Sequence, residues 1–259
     1  MMAAMAKGYQ VLGEKKYLAS AEKCASFLQQ QLSKENHMLR RYAEGEAKYD
    51  GTLTDYAYVI YGLQYLYEAN FKEEHLLWAQ QLQHTQDELF WDDLGKAYFT
   101  ASKKEKNLIA RKKDHSDGAI PAGNSIAAGN LLRFYHYFFE ENYEAKAKEI
   151  FQCFAHDFSR VPSAYAMALA NFEWLVRPVK EIAVVTNTIE EAKESIDFLQ
   201  KEFLPRKVLA LSLGKNQSRV RLLDGKSAGS QGALVYVCEE KTCLRPVSTL
   251  AELQRVLAL

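Results

Sequence analysis

The chain has 259 residues, of which 48% are hydrophobic and 25% are charged, a composition typical of a globular protein with one large or two modest domains. Acidic and basic residues number 33 each, so the net charge is zero, which argues against partners held by bulk charge, such as nucleic acid or an anionic membrane. No apolar run approaches the ~20 residues that cross a bilayer, the start does not resemble a signal peptide, and we expect a cytoplasmic protein with reduced thiols.

Helices dominate the predicted structure up to about residue 176. In chain order they are expected at residues 2–12, 16–31, 55–68, 73–89, 125–139, 143–157 and 164–174. The first, third, fifth and seventh are apolar on most sides and must be buried, whereas the others carry charge on one face and can contact water. Inner and outer layers of helices satisfy both demands. The pattern is therefore typical of an α/α toroid or an α-solenoid.

Two long connections, 34–54 and 91–123, favour the toroid, because the connections of a solenoid are usually short. The second contains an extended piece at 97–100. In a toroid the outer-to-inner connections open at the same end. The segments YDGTLTDY, DHSDGAIPAGNS and SRVPSAY are therefore predicted to meet around one mouth.

The pattern changes to that of a small α/β unit from about residue 178. Strands are predicted at 181–186, 208–213, 219–223 and 233–237, with a helix at 189–203 and a second one behind a capping box formed by Thr249 and Glu252. We therefore predict a mostly α fold, a partial α/α toroid at 1–177 followed by a small α/β subdomain at 178–259.

The predicted catalytic residues lie at the mouth. Asp55 and Asp117 follow or belong to Asp-Gly turns in front of inner helices, and paired carboxylates at one mouth suit general acid and base catalysis on a sugar. His115 is the alternative base, because an imidazole exchanges protons near neutral pH. Carboxylates at helix starts also cap backbone N–H groups, so a structural role stays open for both aspartates.

The predicted substrate-binding residues are Tyr56, Trp91, Arg111, Asn124 and Ser125. The rings of Tyr56 and Trp91 can stack on a pyranose or simply pack in the core. Arg111 can clamp an anionic substrate or pair with Asp114. Glycine-rich phosphate loops are missing from the sequence, so a nucleotide cofactor is not expected. A metal is not expected either, because the C-x4-C pair described next has no further ligands nearby in the sequence.

The cysteines allow a third kind of chemistry. Cys238 and Cys243 form a C-x4-C pair that lacks two further ligands for zinc and is either a packing pair or a redox pair. A redox pair requires Cα atoms within ~7 Å of each other. Cys24 and Cys153 lie in predicted helices and are expected in the core.

Several segments resemble a known family. LRRYAEGEAKYDGTLTDYAYVIYGLQYLYEA, LFWDDLGKAYFT and ARKKDHSDGAIPAGNSIAAGNLLRF resemble the thioredoxin-domain-containing, spermatogenesis-associated protein family, and GALVYVCEEKTCLRPV resembles its cysteine-bearing C-terminal segment. The match covers most of the chain. Ala122 stands where the family usually has serine, and Thr54 stands where it usually has an acid.

The resemblance implies a thioredoxin-like domain followed by a six-hairpin, glycosidase-like α/α barrel. Neither that domain nor the first hairpins are present in this chain, so it resembles the C-terminal part of such a protein. Three functions stay open at this point. They are a carbohydrate hydrolase or an epimerase of the N-acylglucosamine 2-epimerase kind, a binding or scaffold module beside a thioredoxin domain, and a redox role through Cys238 and Cys243.

We favour carbohydrate binding or processing, with a small sugar as the partner and with neither nucleic acid nor membrane involved. An open toroid leaves the faces of its inner helices uncovered. Self-association is therefore also expected. A monomer at high concentration in sedimentation analysis would count against it.

Overall fold

The structure, a computed structural model, describes residues 1–214, 218–229 and 232–257. All seven predicted helices of the first part are present, with ends that differ by a few residues. They are α1 (Met2–Leu12), α2 (Lys15–Gln31), α3 (Leu53–Asn70), α4 (Glu73–Phe90), α5 (Gly123–Phe138), α6 (Glu141–Arg160) and α7 (Ala166–Val176), the last preceded by a 3-10 turn at Pro162–Tyr165.

These helices form a two-layered arc, so the prediction of a mostly α fold with a partial α/α toroid is confirmed. In the inner layer α3 packs between α1 and α5, and α5 packs in turn against α7. In the outer layer α2, α4 and α6 each form a hairpin with the inner helix that precedes them. The layers follow from the sequence, because α3 and α5 are apolar nearly all round while α6 has a single apolar stripe.

The inner helices in the middle of the arc, α3 and α5, are more fully buried than those at its two ends. The two end helices, α1 and α7, expose apolar side chains that were expected inside, namely Val11, Leu12, Phe172 and Val176. The reason is geometric, since each of these helices has an inner neighbour on one side only. Self-association through these edges stays a prediction.

The first long connection folds into a small antiparallel sheet of β1 (Ser33–Lys34), β2 (His37–Ala43) and β3 (Glu46–Asp50). The second is mostly irregular, and its extended piece pairs through a bridge between Trp91 and Tyr98. Side chains rather than strands hold this second connection in place, as described below.

The α/β unit contains β4 (Lys180–Val185), α8 (Ile189–Lys201), β5 (Lys207–Ser212), β6 (Leu234–Glu239), β7 (Thr242–Cys243) and α9 (Leu250–Val256). The strand order is β5-β4-β6-β7, with β4 and β5 parallel and the other neighbours antiparallel. The capping box of Thr249 and Glu252 is present at the start of α9. Apolar residues of β4, β6, α8 and α9 form a core of their own on one face of the sheet.

The prediction of a strand at 219–223 is wrong. Residues Arg221–Leu223 form a 3-10 turn that packs on α5, β4 and β5. Val220, Leu222 and Leu223 are all buried there. A strand places alternate side chains on opposite faces, whereas here two consecutive leucines point inward, so the apolar run reflects a buried turn.

A buried polar network joins the arc to the α/β unit. Glu68 Oε1 on α3 accepts hydrogen bonds from Arg133 Nη2 at 2.7 Å, from the Tyr137 hydroxyl at 2.7 Å and from the backbone N–H of Leu209 at 3.3 Å. Apolar residues of both parts also share one core cluster. The division of the chain into domains at residue 177 stays a prediction.

Lys207 at the start of β5 is buried beside this network, and burial lowers the pKa of its ammonium to about 8. Between about pH 8 and 10.5 the unfolded chain therefore holds a proton that the folded protein has lost, so stability rises with pH across this window. We expect the stability of the wild type relative to Lys207→Met to rise by about 2 kcal/mol between pH 7.5 and 10.

Urea denaturation at both pH values measures this difference. Lys201→Met removes an exposed lysine from neighbouring α8 and serves as the control, for which the difference should stay flat. Parallel stability curves for the wild type and Lys207→Met would contradict the prediction.

Across the described ranges, none of the helices combines the length and the apolar character that a membrane crossing requires. The cytoplasmic location stays a prediction.

Candidate functional site

Both predicted catalytic aspartates have backbone partners. Asp55 Oδ2 accepts from the N–H of Thr52 at 2.7 Å and from its hydroxyl at 2.8 Å, which caps the start of α3. Asp117 Oδ1 accepts from Ala122 N at 2.9 Å, and its Oδ2 accepts from Met167 N at 2.8 Å. Each carboxylate thus orients the chain at the start of an inner helix. Their catalytic roles stay predictions.

His115 lies against α6 and pairs with neither of the two predicted catalytic aspartates. Its Nε2 is 2.9 Å from Asp157 Oδ2, and its ring stacks on Phe154 with centroids 4.1 Å apart. Tyr165 lies parallel on the other side, 5.5 Å away. The ring is therefore clamped between two aromatic side chains, and its role as a base stays a prediction.

Tyr56 and Arg111 hold backbone segments together. The buried Tyr56 hydroxyl accepts from the N–H of Met38 at 2.8 Å and so fixes the first connection on α3. The Arg111 guanidinium donates to the carbonyl of Ala101 at 2.9 Å and to that of Leu89 at 3.3 Å. It does not pair with Asp114 in the structure. A ligand would have to compete with these backbone bonds.

The remaining predicted substrate-binding residues are also held by protein contacts. Trp91 packs edge-on against Tyr98, with ring centroids 4.9 Å apart. Asn124 and Ser125 lie at the buried start of α5. Asn124 Oδ1 accepts from Tyr98 N, while its Nδ2 donates to the carbonyls of Tyr98 and Asp114, all at 2.9 Å. The Ser125 hydroxyl has no hydrogen-bond partner among the described residues. Asn124 thus pins the second connection to α5.

The three connections meet at one end of the arc, as predicted. The N–H of Asp117 donates to the carbonyl of Ala164 at 2.8 Å, and the Tyr58 hydroxyl donates to that of Pro121 at 3.0 Å. The space lined by His115, Asn124 and Ser125 is nevertheless too narrow for a water molecule. This part of the end is a packed junction, whereas a separate cavity of about 380 Å³ lies between the first and second connections, where its lining includes Gly51, Tyr56 and Ser102.

A cavity of about 310 Å³ opens beside the junction, on the side of the inner helices that faces away from the outer layer. Its walls are one stripe from each of three helices, at helical spacings of three, four and seven. The stripes are Tyr61 and Tyr65 on α3, Ile126, Gly129 and Arg133 on α5, and Met167, Ala170, Asn171 and Trp174 on α7. We call this space the concave cavity.

Arg133 is the charged group at the floor of the concave cavity. It is only 7% exposed, and its guanidinium lies 4.9 Å from the Tyr65 ring centroid and 5.6 Å from that of Trp174. Burial by itself lowers the pKa of Arg133, but the carboxylate of Glu68 and the neighbouring tyrosines outweigh it and raise the pKa, so the group stays charged. Its Nε has no hydrogen-bond partner among the described residues.

The rim of the concave cavity is polar. Glu173 pairs with Arg206 at 2.8 Å, and Asn171 Nδ2 donates to the carbonyl of Ser125 at 2.9 Å. Gly129 makes room for the Asn171 side chain, because a Cβ at position 129 would lie 2.6 Å from the Asn171 amide nitrogen and would force that side chain to move. Asp117 contributes indirectly, since its bond to Met167 N sets the first turn of α7. The predicted mouth residue thus positions a wall of the cavity.

The donor set of the concave cavity suits binding better than acid–base catalysis. Glu173 is the one carboxylate among the described residues that line it, and that group is already paired. General acid–base hydrolysis of a sugar uses two carboxyl groups. Nowhere in the described ranges do three His, Cys, Asp or Glu side chains come together as a metal site requires.

A larger hollow of about 530 Å³ lies on the other side of Tyr61 and Tyr65, between α1, α2 and α3. Its lining is mostly methionine, alanine, tyrosine and leucine, with Lys7 as the charged group. Ligand sites combine apolar walls with a few convergent polar groups, a condition that the smaller concave cavity meets better.

Sequence reasoning did not find the concave cavity. Its aromatic and arginine side chains lie on helices that were interpreted as core. The signal in the sequence was weak: Tyr61 and Tyr65, Arg133 and Trp174 lie on three successive inner helices, each on the face that lines the cavity. A single sequence does not tell such a face from one that packs on a neighbour.

The cysteine predictions had mixed outcomes. Cys238 and Cys243 form a disulfide with Cα atoms 3.9 Å apart, which meets the distance condition of the redox hypothesis and excludes two separate packing cysteines. The expectation of reduced thiols is therefore wrong for this pair. Cys24 is half-buried against the core. Cys153 was expected in the core but is exposed, because it lies on the solvent face of α6.

Comparisons with known proteins agree with the resemblance in the sequence motifs. No family model matches the chain. It is 32% identical over 213 residues to human spermatogenesis-associated protein 20, covering 80% of this chain and 27% of that protein. The rat protein of the same name is 30% identical over 273 residues, covering 99% of this chain and 35% of the relative. The chain thus spans about a third of the length of these relatives or less.

Two further comparisons concern proteins with other names. An uncharacterized protein of Caenorhabditis elegans is 32% identical over 269 residues, covering 97% of this chain and 36% of the relative. The solved structure of cellobiose 2-epimerase from Bacillus thermoamylovorans is 16% identical with a TM-score of 0.49. That match covers 59% of this chain and 42% of the epimerase.

Proposed function

We propose that the helical arc binds a small carbohydrate in the concave cavity, as the binding part of a longer protein of the spermatogenesis-associated kind. The observation that carries this proposal is Arg133, a charged guanidinium in the lining of the cavity that lies close to the rings of Tyr65 and Trp174. From the sequence motifs we also propose that the longer protein contains a thioredoxin-like domain.

The shape and lining of the cavity support a compact ring as the ligand. Its volume of about 310 Å³ lies at the lower end of the range for small-molecule sites. Aromatic rings offer apolar faces for the C–H face of a pyranose, and Tyr61, Tyr65 and Trp174 present three of them. A polymer would require a longer cleft.

The polar groups support hydroxyl recognition. A guanidinium offers five N–H donors in a fixed plane, of which one Nη2 donor of Arg133 is used by Glu68. Asn171 and the Glu173–Arg206 pair at the rim supply further donors and acceptors. Desolvated donors of this kind gain most from a hydroxyl oxygen, because a buried donor without a partner is costly.

Trp174→Leu is expected to weaken sugar binding by about 30-fold, or ~2 kcal/mol, since the substitution removes a ring face and part of the cage around Arg133. The measurement is a thermal-shift screen against mono- and disaccharides, N-acyl sugars and sugar phosphates, followed by calorimetry on the hits. Binding to the folded state raises the melting temperature by mass action.

Trp91→Leu is the matched control, because Trp91 is also half-buried but lies outside the concave cavity. Its affinity for the sugar should equal that of the wild type. If binding survives Trp174→Leu but is lost in Asp55→Asn or His115→Gln, the site is at the mouth instead. Absence of any shift with a folded protein would overturn the carbohydrate proposal.

A further inference from the structure

The disulfide lies in a hairpin at the edge of the α/β sheet. Strands β6 and β7 are joined by a two-residue turn, Glu240–Lys241, with φ values of +49° and +65°. Cys238 and Cys243 are direct cross-strand partners in this ladder. Leu244 N donates to the carbonyl of Val237 at 3.0 Å just beyond them. The backbone therefore places the cysteines opposite each other whether or not the sulfurs are bonded.

The two cysteines differ sharply in access. Cys238 is 1% exposed and belongs to β6, which is covered on both sides by β4 and β7. Cys243 is exposed on the edge strand, and Leu244 and Arg245 after it are exposed as well. No described strand pairs with the outer side of β7. An incoming thiolate can therefore approach the sulfur of Cys243 and not that of Cys238.

We propose that Cys238 and Cys243 form a reversible redox centre that exchanges electrons with an external dithiol, and that Cys243 is the sulfur attacked. The dithiol's thiolate bonds to Cys243 Sγ, and the Cys238 sulfur leaves and takes up a proton. In the mixed disulfide, the second sulfur of the dithiol then attacks the first one, which is bonded to Cys243. Cys243 is released as a thiol. The protein disulfide gains two electrons and two protons, and the dithiol becomes a disulfide.

A purely structural role explains this bond less well. A disulfide stabilises a fold mainly by closing a loop in the unfolded chain, and the effect is smallest for short loops. Here the bonded residues are five positions apart and already joined by a turn and a ladder. Because the same backbone suits both the bonded and the free thiols, reduction requires no rearrangement of the sheet.

The hairpin also contacts the helical arc. Lys241 Nζ pairs with Glu141 Oε1 on α6 at 2.6 Å and lies over the Tyr135 ring of α5. Glu181, the other cross-strand neighbour of Cys238, pairs with His136 of α5 at 2.7 Å. The redox centre thus lies where the α/β unit meets the arc.

The first test titrates the full chain with dithiothreitol and counts free thiols by alkylation and mass spectrometry. Cys24→Ala and Cys153→Ala provide the background, because these are the free thiols of the described residues. We expect both remaining thiols to appear together in one two-electron step while circular dichroism stays unchanged. Thiols that appear only as the chain unfolds would show a structural bond and overturn the proposal.

The second test separates the two sulfurs. In the same background, Cys238→Ser leaves Cys243 free, and Cys243→Ser leaves Cys238 free. We expect the Cys243 thiol in Cys238→Ser to react with a disulfide probe such as 5,5′-dithiobis(2-nitrobenzoate) at least about tenfold faster than the Cys238 thiol in Cys243→Ser, because thiol reactivity follows exposure. Equal rates in two folded variants would contradict the assignment of Cys243.

The redox proposal does not depend on the carbohydrate proposal. Trp174→Leu should leave the dithiothreitol titration unchanged. The same titration can also be carried out on a protein that binds no sugar. A failed sugar screen and a failed thiol titration are therefore distinct results.

Discussion

Glu68→Leu is expected to lower the free energy of unfolding by about 3–5 kcal/mol, because it leaves the charge of Arg133 buried without its partner. The same carboxylate oxygen also accepts from the Tyr137 hydroxyl and from Leu209 N. The substitution therefore leaves donors from α5 and β5 unsatisfied at once. Chemical denaturation monitored by circular dichroism measures the loss.

Two further variants test the physical reason. Glu68→Gln keeps an oxygen acceptor but removes the charge. It should therefore lower the free energy of unfolding clearly less than Glu68→Leu does. Glu68→Leu combined with Arg133→Met removes both charges, and this pair is expected to regain much of the lost stability. A double variant whose loss equals the sum of the two single losses would show that the pair does not act as a buried ion pair.

The ion pair also connects stability to the proposed function. Glu68 holds Arg133 at the floor of the concave cavity, and Tyr65 and Trp174 hold it from the sides. Glu68→Gln should therefore stay folded and yet weaken the sugar affinity, since the guanidinium loses the charge that orients it. An unchanged affinity would place the ligand elsewhere.

Asn124→Ala is expected to cost about 2–4 kcal/mol, because it leaves the buried N–H and C=O of Tyr98 and the carbonyl of Asp114 without their partner. Asn124 is 1% exposed, and water cannot easily replace it. The substitution should also loosen the second long connection from α5. Thermal and chemical denaturation, with limited proteolysis of residues 91–122, measure both effects.

Asn107→Ala is the matched control, because Asn107 is an exposed asparagine of the same connection. Its effect should stay within about 0.5 kcal/mol, as for most surface substitutions. If Asn124→Ala is equally mild and instead abolishes sugar binding, then Asn124 has the substrate-binding role that the sequence suggested. The pair of variants thus separates a structural asparagine from a ligand-binding one.

The polar segment before α5 has a structural explanation. Asp117 and Asn124 bond to backbone groups of segments distant in the chain, and the ring of His115 stacks with aromatic rings of α6 and the following turn. The segment needs this many hydrogen-bonding side chains because it contains almost no backbone ladder of its own. Buried backbone groups must find partners, and side chains supply them here.

Local patterns in the sequence determined much of this protein. Apolar periodicity located the seven helices and their two layers, because each helix must bury its apolar face. The capping box at Thr249 and the strands around the βαβ unit followed from short-range chemistry. The strand predicted at 219–223 failed, because an apolar run of that length is also compatible with a buried turn.

Only the tertiary structure decided where a ligand site can exist. Asp55 and Asp117 were correctly expected near one end of the arc, but the space around His115 and Asn124 is filled, and the neighbouring cavity is lined by Arg133 and Trp174. Which face of an apolar helix packs and which borders a cavity depends on the angles and distances between helices. Those are set by contacts between residues far apart in the chain, and one sequence does not contain them in readable form.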